Sequence, residues 1–228
     1  MKNMACLAFA LILFLPVPRA FAGQSSFTLE QVYAKIDEAS KAFKSTEANV
    51  QREYTTVIVN ETEVKTGKFF YTLRGTEPRV KLELVKPDVQ YALIDRGKVQ
   101  FYSPAIKQVQ EASIAGNRDT VEMYMALGFG QSSADLKANF DVTLGPDEVV
   151  GGQKTSVLNL KPKKPSSPFQ MIQLWLDQKA WHSNQIKIVE KSKDYLVIKF
   201  TNVKMNAGIP DSRFKLDLPK DVKVIKLK

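Results

Sequence analysis

The chain has 228 residues with a formal net charge of +9, and 44% of the residues are hydrophobic. This length suits one domain with a sizeable core. The lysines form no cluster interleaved with aromatic residues, which argues against a nucleic-acid surface. One cysteine cannot form a disulfide within the chain, and one histidine leaves no second one to complete a zinc or hydrolase site.

The first 22 residues have the pattern of a secretory signal peptide. Lys2 supplies positive charge, residues 4–15 form an apolar core, and Ala20-Phe21-Ala22 fits a small-residue cleavage site. The only cysteine and two of the cations lie in this segment. We therefore expect a leader that is removed and one mature domain over residues 23–228, with a formal charge of +7 and no thiol. No later apolar run approaches the ~18 residues of a membrane span.

The first element of the mature chain is predicted to be a helix over residues 28–44. Thr28 and Gln31 fit a capping box, and one helical stripe is apolar, comprising Leu29, Val32, Tyr33, Ile36 and Phe43. Such a stripe must lie on an apolar surface, either as an ordinary core helix or as a movable cover. A long strand is expected next, over residues 49–60, because β-branched residues are frequent there.

Four short strands are predicted between residues 67 and 104. Period-two alternation places large apolar side chains on one face, comprising Phe69, Tyr71, Leu73, Val80, Leu82, Leu84, Val89, Tyr91 and Leu93. The other face carries Lys68, Lys81, Glu83 and Gln90. Asp95-Arg96-Gly97 is typical of a tight turn, so the last two strands are expected to form an antiparallel hairpin.

A second helix is predicted near residues 119–127, where Asp119 and Glu122 fit a capping box and Gly128 ends the pattern. This segment is apolar nearly all round and includes Met123, Met125 and Leu127. It is either an adaptable apolar surface or a plain buried helix. Strands resume over residues 140–144, 155–160, 169–176, 185–189, 195–200 and 214–218. The order predicts a single α+β domain with helices on one face of one meandering sheet.

A search for catalytic groups favours binding over catalysis. His182 lies in an expected turn and is interpreted as a surface or packing residue. The Gly151-Gly-Gln-Lys-Thr155 segment lacks the spacing of a phosphate loop, and Asp147-Glu148 and Asp37-Glu38 are interpreted as solvated pairs. We therefore expect a protein that is not an enzyme, with no cofactor and no metal site.

Four segments together carry a family resemblance. They are Gly67-Lys-Phe-Phe-Tyr-Thr-Leu-Arg74 with Pro78, Ile94-Asp-Arg-Gly-Lys-Val-Gln-Phe-Tyr-Ser-Pro104, Leu158-Asn-Leu-Lys-Pro162, and Phe214-Lys-Leu-Asp-Leu-Pro219 followed by residues 222–225. In this order and spacing the chain resembles the LolA family of periplasmic carriers of outer-membrane lipoproteins.

The resemblance implies an unclosed antiparallel β half-barrel, with a lid of short α-helices over its concave apolar face. Acyl chains would enter between sheet and lid. The expected acyl-chain residues are Val32, Tyr33, Ile36, Phe69, Tyr71, Leu82, Leu84, Tyr91, Leu93, Phe101, Met123, Met125 and Leu127. The family arginine that bonds to the lid backbone and holds the empty form shut corresponds to Arg74. Because Gly75-Thr76-Glu77 separate Arg74 from the proline that usually follows, Arg79 is a rival for this role.

The resemblance further implies a monomeric chaperone in the periplasm of a Gram-negative-type bacterium. It would carry acylated lipoprotein cargo from an inner-membrane release complex to an outer-membrane acceptor, without nucleic acid. The alternative is a periplasmic lipid or lipoprotein sensor, or an interaction protein, of the same fold. The identities of cargo and acceptor are left open by the sequence.

Overall fold

A computed structural model describes residues 25–75, 77–113 and 128–227, except for the side chain of Arg74. The expected signal peptide and the expected second apolar helix, with Met123, Met125 and Leu127, lie outside the described residues. Two α-helices are described, α1 (Leu29–Ala42) and α2 (Ser133–Asn139). The described 3-10 turns span Val57–Val59, Pro104–Ile106 and Asp211–Phe214.

Within the described residues, thirteen strands form a single sheet. They are β1 (Ser45–Thr56), β2 (Glu61–Arg74), β3 (Glu77–Lys86), β4 (Gln90–Asp95), β5 (Lys98–Ser103), β6 (Gln108–Ser113), β7 (Phe140–Leu144), β8 (Glu148–Val150), β9 (Gln153–Pro162), β10 (Phe169–Asp177), β11 (Ser183–Glu190), β12 (Tyr195–Met205) and β13 (Lys223–Lys226).

The strand order is β13-β6-β5-β4-β3-β2-β1-β12-β11-β10-β9-β7, and β8 pairs with β9. All pairs of these described strands are antiparallel except β13 with β6. Because β13 and β7 are the two ends of this order, the sheet is open, which confirms the predicted unclosed antiparallel architecture. We call the face that packs against α1 the inner face, and the opposite one the outer face.

Helix α1 begins where the sequence predicts. The Thr28 hydroxyl accepts from the Gln31 backbone N–H at 3.2 Å, and the Gln31 side chain accepts from the Thr28 N–H at 2.8 Å. Val32 and Ile36 are buried against the inner face. Asp37, expected to be solvated, instead accepts hydrogen bonds from the backbone N–H and hydroxyl of Ser133 at 2.7 and 2.8 Å. These bonds join α1 to the first turn of α2.

Strand β1 starts earlier and ends earlier than predicted. It runs to Thr56, and Val57–Val59 form a 3-10 turn that leads into Asn60 in the left-handed region at φ 51°. The backbone N–H of Val57 donates to Oδ1 of Asp194 at 2.9 Å. These local contacts override the strong β propensity of the Val-Ile-Val sequence.

The predicted faces of β4 are wrong. Leu82 pairs with Ala92, whereas Tyr91 and Leu93 pair with Glu83 and Lys81 on the outer face. The inner face of β4 therefore carries Gln90, Ala92 and Ile94. Alternation misleads here because β4 is apolar on both faces, as expected for a strand covered on both sides.

The cover on the outer face is the C-terminal segment. Phe214 is buried in a small cluster with Phe70 and Leu93, and Nζ of Lys81, predicted to lie on the polar face, donates to the carbonyl of Lys215 at 2.9 Å. The strand predicted over residues 214–218 is absent from this described segment, which consists of a 3-10 turn and irregular chain. Its apolar residues serve outer-face packing instead.

Candidate functional site

The inner face carries most of the buried apolar side chains of the described residues. Strands β1 to β5, β7 and β9 to β12 contribute to one cluster with both helices. Its fully or nearly buried members include Val32, Ile36, Phe43, Phe69, Tyr71, Val80, Leu84, Ile94, Phe129, Leu136, Leu160, Ile172, Leu174, Ile188 and Phe200. The concave apolar surface expected from the sequence is present and α1 lies on it, but the sheet is not apolar on this face alone, because Phe70, Leu93 and Phe214 form a buried cluster on the outer face.

One part of this face is tightly filled. Phe129 packs between Phe69 and Phe200, with ring centroids 5.6 and 5.0 Å away. The cavity between α1, α2 and β10, bordered by Ile36 and Trp181, has a volume of about 20 Å³. That space holds about one water molecule, so a ligand can enter here only if the helices move.

The other part, over β2 to β5, is open. It encloses a cavity of about 320 Å³, at the lower end of the range of about 300–1,000 Å³ for ligand pockets. The apolar residues around it are Leu82, Leu84, Ala92 and Phe101, the tyrosines Tyr91 and Tyr102 also border it, and the polar residues at its edge are Arg52, Glu63, Lys65, Gln90 and Ser103. Phe101 is 49% exposed, so its ring is available to a ligand.

The polar edge of this cavity is internally satisfied. Nζ of Lys65 donates to Oε1 of Gln90 at 3.0 Å and lies 3.1 Å from Oε1 of Glu63. Nη1 of Arg52 lies 3.6 Å from Oε2 of Glu63, and Nζ of Lys65 lies 3.6 Å from Oδ2 of Asp88. Because the two cations are paired with two carboxylates, the edge offers no unpaired positive charge among the residues named here. It therefore favours an uncharged apolar ligand in the cavity over an anionic group.

Most residues predicted for acyl-chain binding lie on the inner face, in two groups. Val32, Ile36, Phe69 and Tyr71 are buried in the cluster, and Tyr33 packs partly against it. Leu82, Leu84 and Phe101 border the open cavity, and Leu84 is also a buried member of the cluster. The structure therefore separates residues that the sequence treats as one set into a filled part and an open part.

Tyr91 and Leu93 do not belong with them. The Tyr91 ring stacks on Tyr102 at 5.9 Å, with Nζ of Lys81 5.6 Å from its centroid, although Tyr91 also touches the cavity border. Leu93 is buried in the outer cluster. The corrected register replaces them by Ala92, which sequence reasoning missed because alanine is a weak apolar signal.

Of the two candidate latch arginines, the structure describes the side chain of Arg79 but not that of Arg74. The side chain of Arg79 is on the outer face, where it bonds to Asp95 and Asp211, so its partners are not on α1. It is therefore unsuited to hold a helix on the inner face. Arg74 ends β2, and its side chain lies outside the described atoms. Its latch role stays a prediction.

The cavity-edge residues Arg52, Glu63 and Lys65 were also missed. A signal for them does exist, because Arg52 pairs directly with Lys65 and Tyr54 with Glu63 along the β1–β2 ladder. Once the register is known, the alternation along β1 and β2 therefore places these polar side chains on the inner face. Among the described residues, no group of three His, Cys, Asp or Glu side chains could hold a metal ion.

The sequence matches a known protein family across most of this sheet. The family model described as outer membrane lipoprotein carrier protein LolA matches residues 44–217, from β1 to the C-terminal segment. The chain belongs to the LolA family. Neither α1 nor α2 is long and apolar enough to cross a membrane.

Two curated relatives show the extent of the sequence similarity. An uncharacterized protein of Methanocaldococcus jannaschii is 27% identical over 217 residues, which is 94% of this chain and 59% of that protein. An outer-membrane lipoprotein carrier protein of Pseudomonas fluorescens is 28% identical over 139 residues, which is 61% of this chain and 62% of that protein. The chain therefore matches less than two thirds of the length of these curated relatives.

Two solved structures are similar in fold. An uncharacterized conserved protein of Thermus thermophilus has a TM-score of 0.55 at 12% identity, covering 87% of this chain and 98% of that one. MucB has a TM-score of 0.52 at 14% identity, covering 82% of this chain and 62% of that one. At these identities the likeness extends to the fold alone.

Proposed function

We propose that this LolA-family protein is a periplasmic carrier that shelters lipoprotein acyl chains on its inner face between the inner and outer membranes. The observation that supports the proposal is the cavity of about 320 Å³, bordered by Leu82, Leu84, Ala92 and Phe101 beside a helix-covered apolar surface. The family match and the lipoprotein-carrier relatives support the cargo class.

The energetics of such a carrier follow from burial. Each sheltered acyl methylene is worth about 0.8 kcal/mol, so exposing several long chains to water would cost tens of kcal/mol. Two buried side chains of α1, Val32 and Ile36, are worth together about 3–6 kcal/mol on the sheet. About four to eight methylenes match the contribution of these two side chains. A long acyl chain that displaces α1 must also replace the packing of Leu29 and Tyr33 and the hydrogen bonds of Asp37 to Ser133.

In this proposal the leader over residues 1–22 directs export, and the mature domain begins at residue 23. An inner-membrane release complex supplies the cargo and an outer-membrane acceptor takes it, with the carrier acting as a monomer. Because the acyl chains and α1 compete for the same apolar surface, the affinity of the carrier for its cargo stays low enough for delivery. Arg74 is the proposed latch of the empty form.

Binding of acyl chains is tested with a fluorescent fatty-acid probe on two matched variants. Phe101→Asp places a charge on the cavity border at a residue 49% exposed, and Val64→Asp places one on the outer face at a residue 45% exposed. We expect Phe101→Asp to weaken probe binding at least about tenfold and Val64→Asp to leave it unchanged. Equal effects, or no binding by the parent protein, would reject the inner face as the site.

The cargo is tested by gentle periplasmic extraction and mass spectrometry of what co-purifies. Acylated lipoprotein on the parent protein supports carriage. The sensor alternative predicts the opposite result, namely a stable complex with a signalling protein and no lipoprotein.

A further inference from the structure

Several hairpin connections of the described sheet turn at the same end of the strands. They join β1 to β2, β3 to β4, β5 to β6, β9 to β10 and β11 to β12, and antiparallel pairing places them together. The bond from the Val57 N–H to Asp194 links two of them directly. We call these connections, with the adjacent residues 219–223 and the strand-end residues Glu61, Val85, Lys86 and Glu190, the tip surface.

The tip surface is unusually apolar for a set of turns. Ile58 is 91% exposed, Ile106 is 66% exposed and Val59 is 63% exposed. Val57, Val85 and Val89 are also exposed, so six of the eleven exposed large hydrophobic side chains of the described residues lie at this one end. Turns are normally polar, and local folding requires no isoleucine at a position as open as Ile58.

The same surface is basic. Its exposed lysines are Lys86, Lys107, Lys163, Lys164, Lys191, Lys193, Lys220 and Lys223. Five carboxylates lie among them, namely Glu61, Asp88, Glu190, Asp194 and Asp221, which leaves an excess of three positive charges. Among these carboxylates, Asp194 accepts from the Val57 N–H and Asp221 pairs with Lys107 at 2.5 Å. Among the lysines, Lys163 and Lys191 donate to the backbone carbonyls of Lys137 and Pro165.

The open cavity lies beside this end of the molecule. Leu84 and Gln90 border the cavity immediately before and after the β3–β4 connection, and Ser103 borders it just before Pro104–Ile106. An object that contacts the tip surface is therefore next to the cavity border. The strand pairing alone places the cavity next to the tip surface, whether or not a ligand is bound.

We propose that the tip surface docks onto the anionic lipid surface of a bilayer. Separate aliphatic side chains at hairpin tips, surrounded by lysines, suit the interfacial layer, where apolar insertion and attraction to anionic head groups act together. A protein partner would need a continuous complementary patch of about 800 Å², whereas these Val and Ile side chains are divided among three hairpin connections, with Val57–Val59 on the first, Val85 and Val89 on the second and Ile106 on the third. Docking is independent of acyl-chain carriage, although it would bring the cavity to the membrane.

The test is co-sedimentation of the purified protein with vesicles of phosphatidylcholine, with or without phosphatidylglycerol. Binding is expected only with phosphatidylglycerol, and it should weaken as salt increases. Ile58→Ser should weaken it about tenfold, and Lys193→Glu at least about fivefold. The matched controls at the opposite end are Val149→Ser, at an apolar residue 71% exposed, and Lys179→Glu, at an exposed turn lysine, and neither should change binding.

Insertion is read directly from an environment-sensitive dye on Ile58→Cys, compared with the same dye on Val149→Cys. Only the first should brighten on phosphatidylglycerol vesicles. Absence of vesicle binding, equal losses in tip and control variants, or binding only to membranes that contain integral proteins would each overturn the proposal. Fatty-acid probe binding by the same variants should stay at the parental level, which separates this result from the outcome for acyl-chain carriage.

Discussion

Nη1 of Arg79 lies 2.7 Å from Oδ1 of Asp211, and this ion pair ties the C-terminal 3-10 turn to the outer face of the sheet. Nε of Arg79 lies 2.7 Å from Oδ1 of Asp95 on β4, and its guanidinium lies 4.6 Å from the centroid of Phe214. Arg79 is only 4% exposed. The C-terminal segment is therefore held on the outer face by a buried cation as well as by apolar packing.

Removing this cation should destabilise the fold. Arg79→Leu leaves Asp95, whose side chain is only 18% exposed, with the longer 3.7 Å contact to Nε of Arg96 in place of the 2.7 Å pair, so we expect the free energy of unfolding to fall by about 3 kcal/mol. Asp211→Asn removes a carboxylate whose side chain is 80% exposed and should cost less than about 1 kcal/mol. Urea unfolding followed by circular dichroism measures both, and equal losses would contradict a clamp centred on Asp95.

The two arginines of the latch hypothesis should separate in a transfer assay. Arg74→Leu is expected to bias the lid open, retain cargo and reduce delivery to the outer membrane, with stability little changed. Arg79→Leu is expected to lower stability without selective retention of cargo, because its partners lie on the outer face. Normal delivery by Arg74→Leu would show that Arg74 is not the latch.

Gly67 is predicted to tolerate no side chain. It lies at the register shift between β2 and β3, and a Cβ added there would be 1.8 Å from the carbonyl oxygen of Glu83. Gly67→Ala should therefore lower the free energy of unfolding by about 2 kcal/mol or more. Gly208→Ala meets no atom within 4 Å and should change it by less than about 0.5 kcal/mol. Thermal unfolding of both proteins tests this, and a Gly67→Ala protein as stable as the parent would disprove the close approach.

Stability should fall on mild acidification because of His182. Burial lowers the pKa of His182 below its ordinary value of 6.5, against opposing contributions from the Ser183 carbonyl and Asp177. The unfolded chain then binds a proton that the folded chain does not, so stability is lost as the pH falls from 6.5 through the lowered pKa. Asp37 contributes to the pH dependence of stability only at lower pH. Its pKa is held below 3.8 by hydrogen bonds, of which the one from the Ser133 N–H has the largest effect.

The single histidine makes that prediction easy to measure. One imidazole resonance should titrate below pH 6.5 in the folded protein, and His182→Gln should flatten the dependence of unfolding free energy on pH between about 7 and 5. A folded-state pKa above 6.5 would reverse the expected sign.

Elements whose determinants are local were predictable from the sequence. The capping residues Thr28 and Gln31 locate α1, and period two in β2 and β3 correctly places Phe69, Tyr71 and Leu82 on one face. Each of these signals operates within a few residues. The single sheet with helices on one face follows from their order along the chain, whereas its openness was implied by the family resemblance.

Features that depend on distant segments were not predictable. Leu93 faces outward because Phe214, more than a hundred residues later, covers that face. Lys65 reaches the cavity only because β2 pairs with β1 and β3 in a particular register. A pattern read along one strand cannot show which of its two apolar faces another segment will cover.

The proposed function is tested most directly by photocrosslinking a diazirine-bearing fatty acid to the purified protein and locating the labelled residues by mass spectrometry. Labels are expected on the cavity border at Leu82, Leu84 and Phe101, and they should be competed away by unlabelled fatty acid. Labels confined to the outer face, or spread over the surface without competition, would contradict an inner face that receives acyl chains.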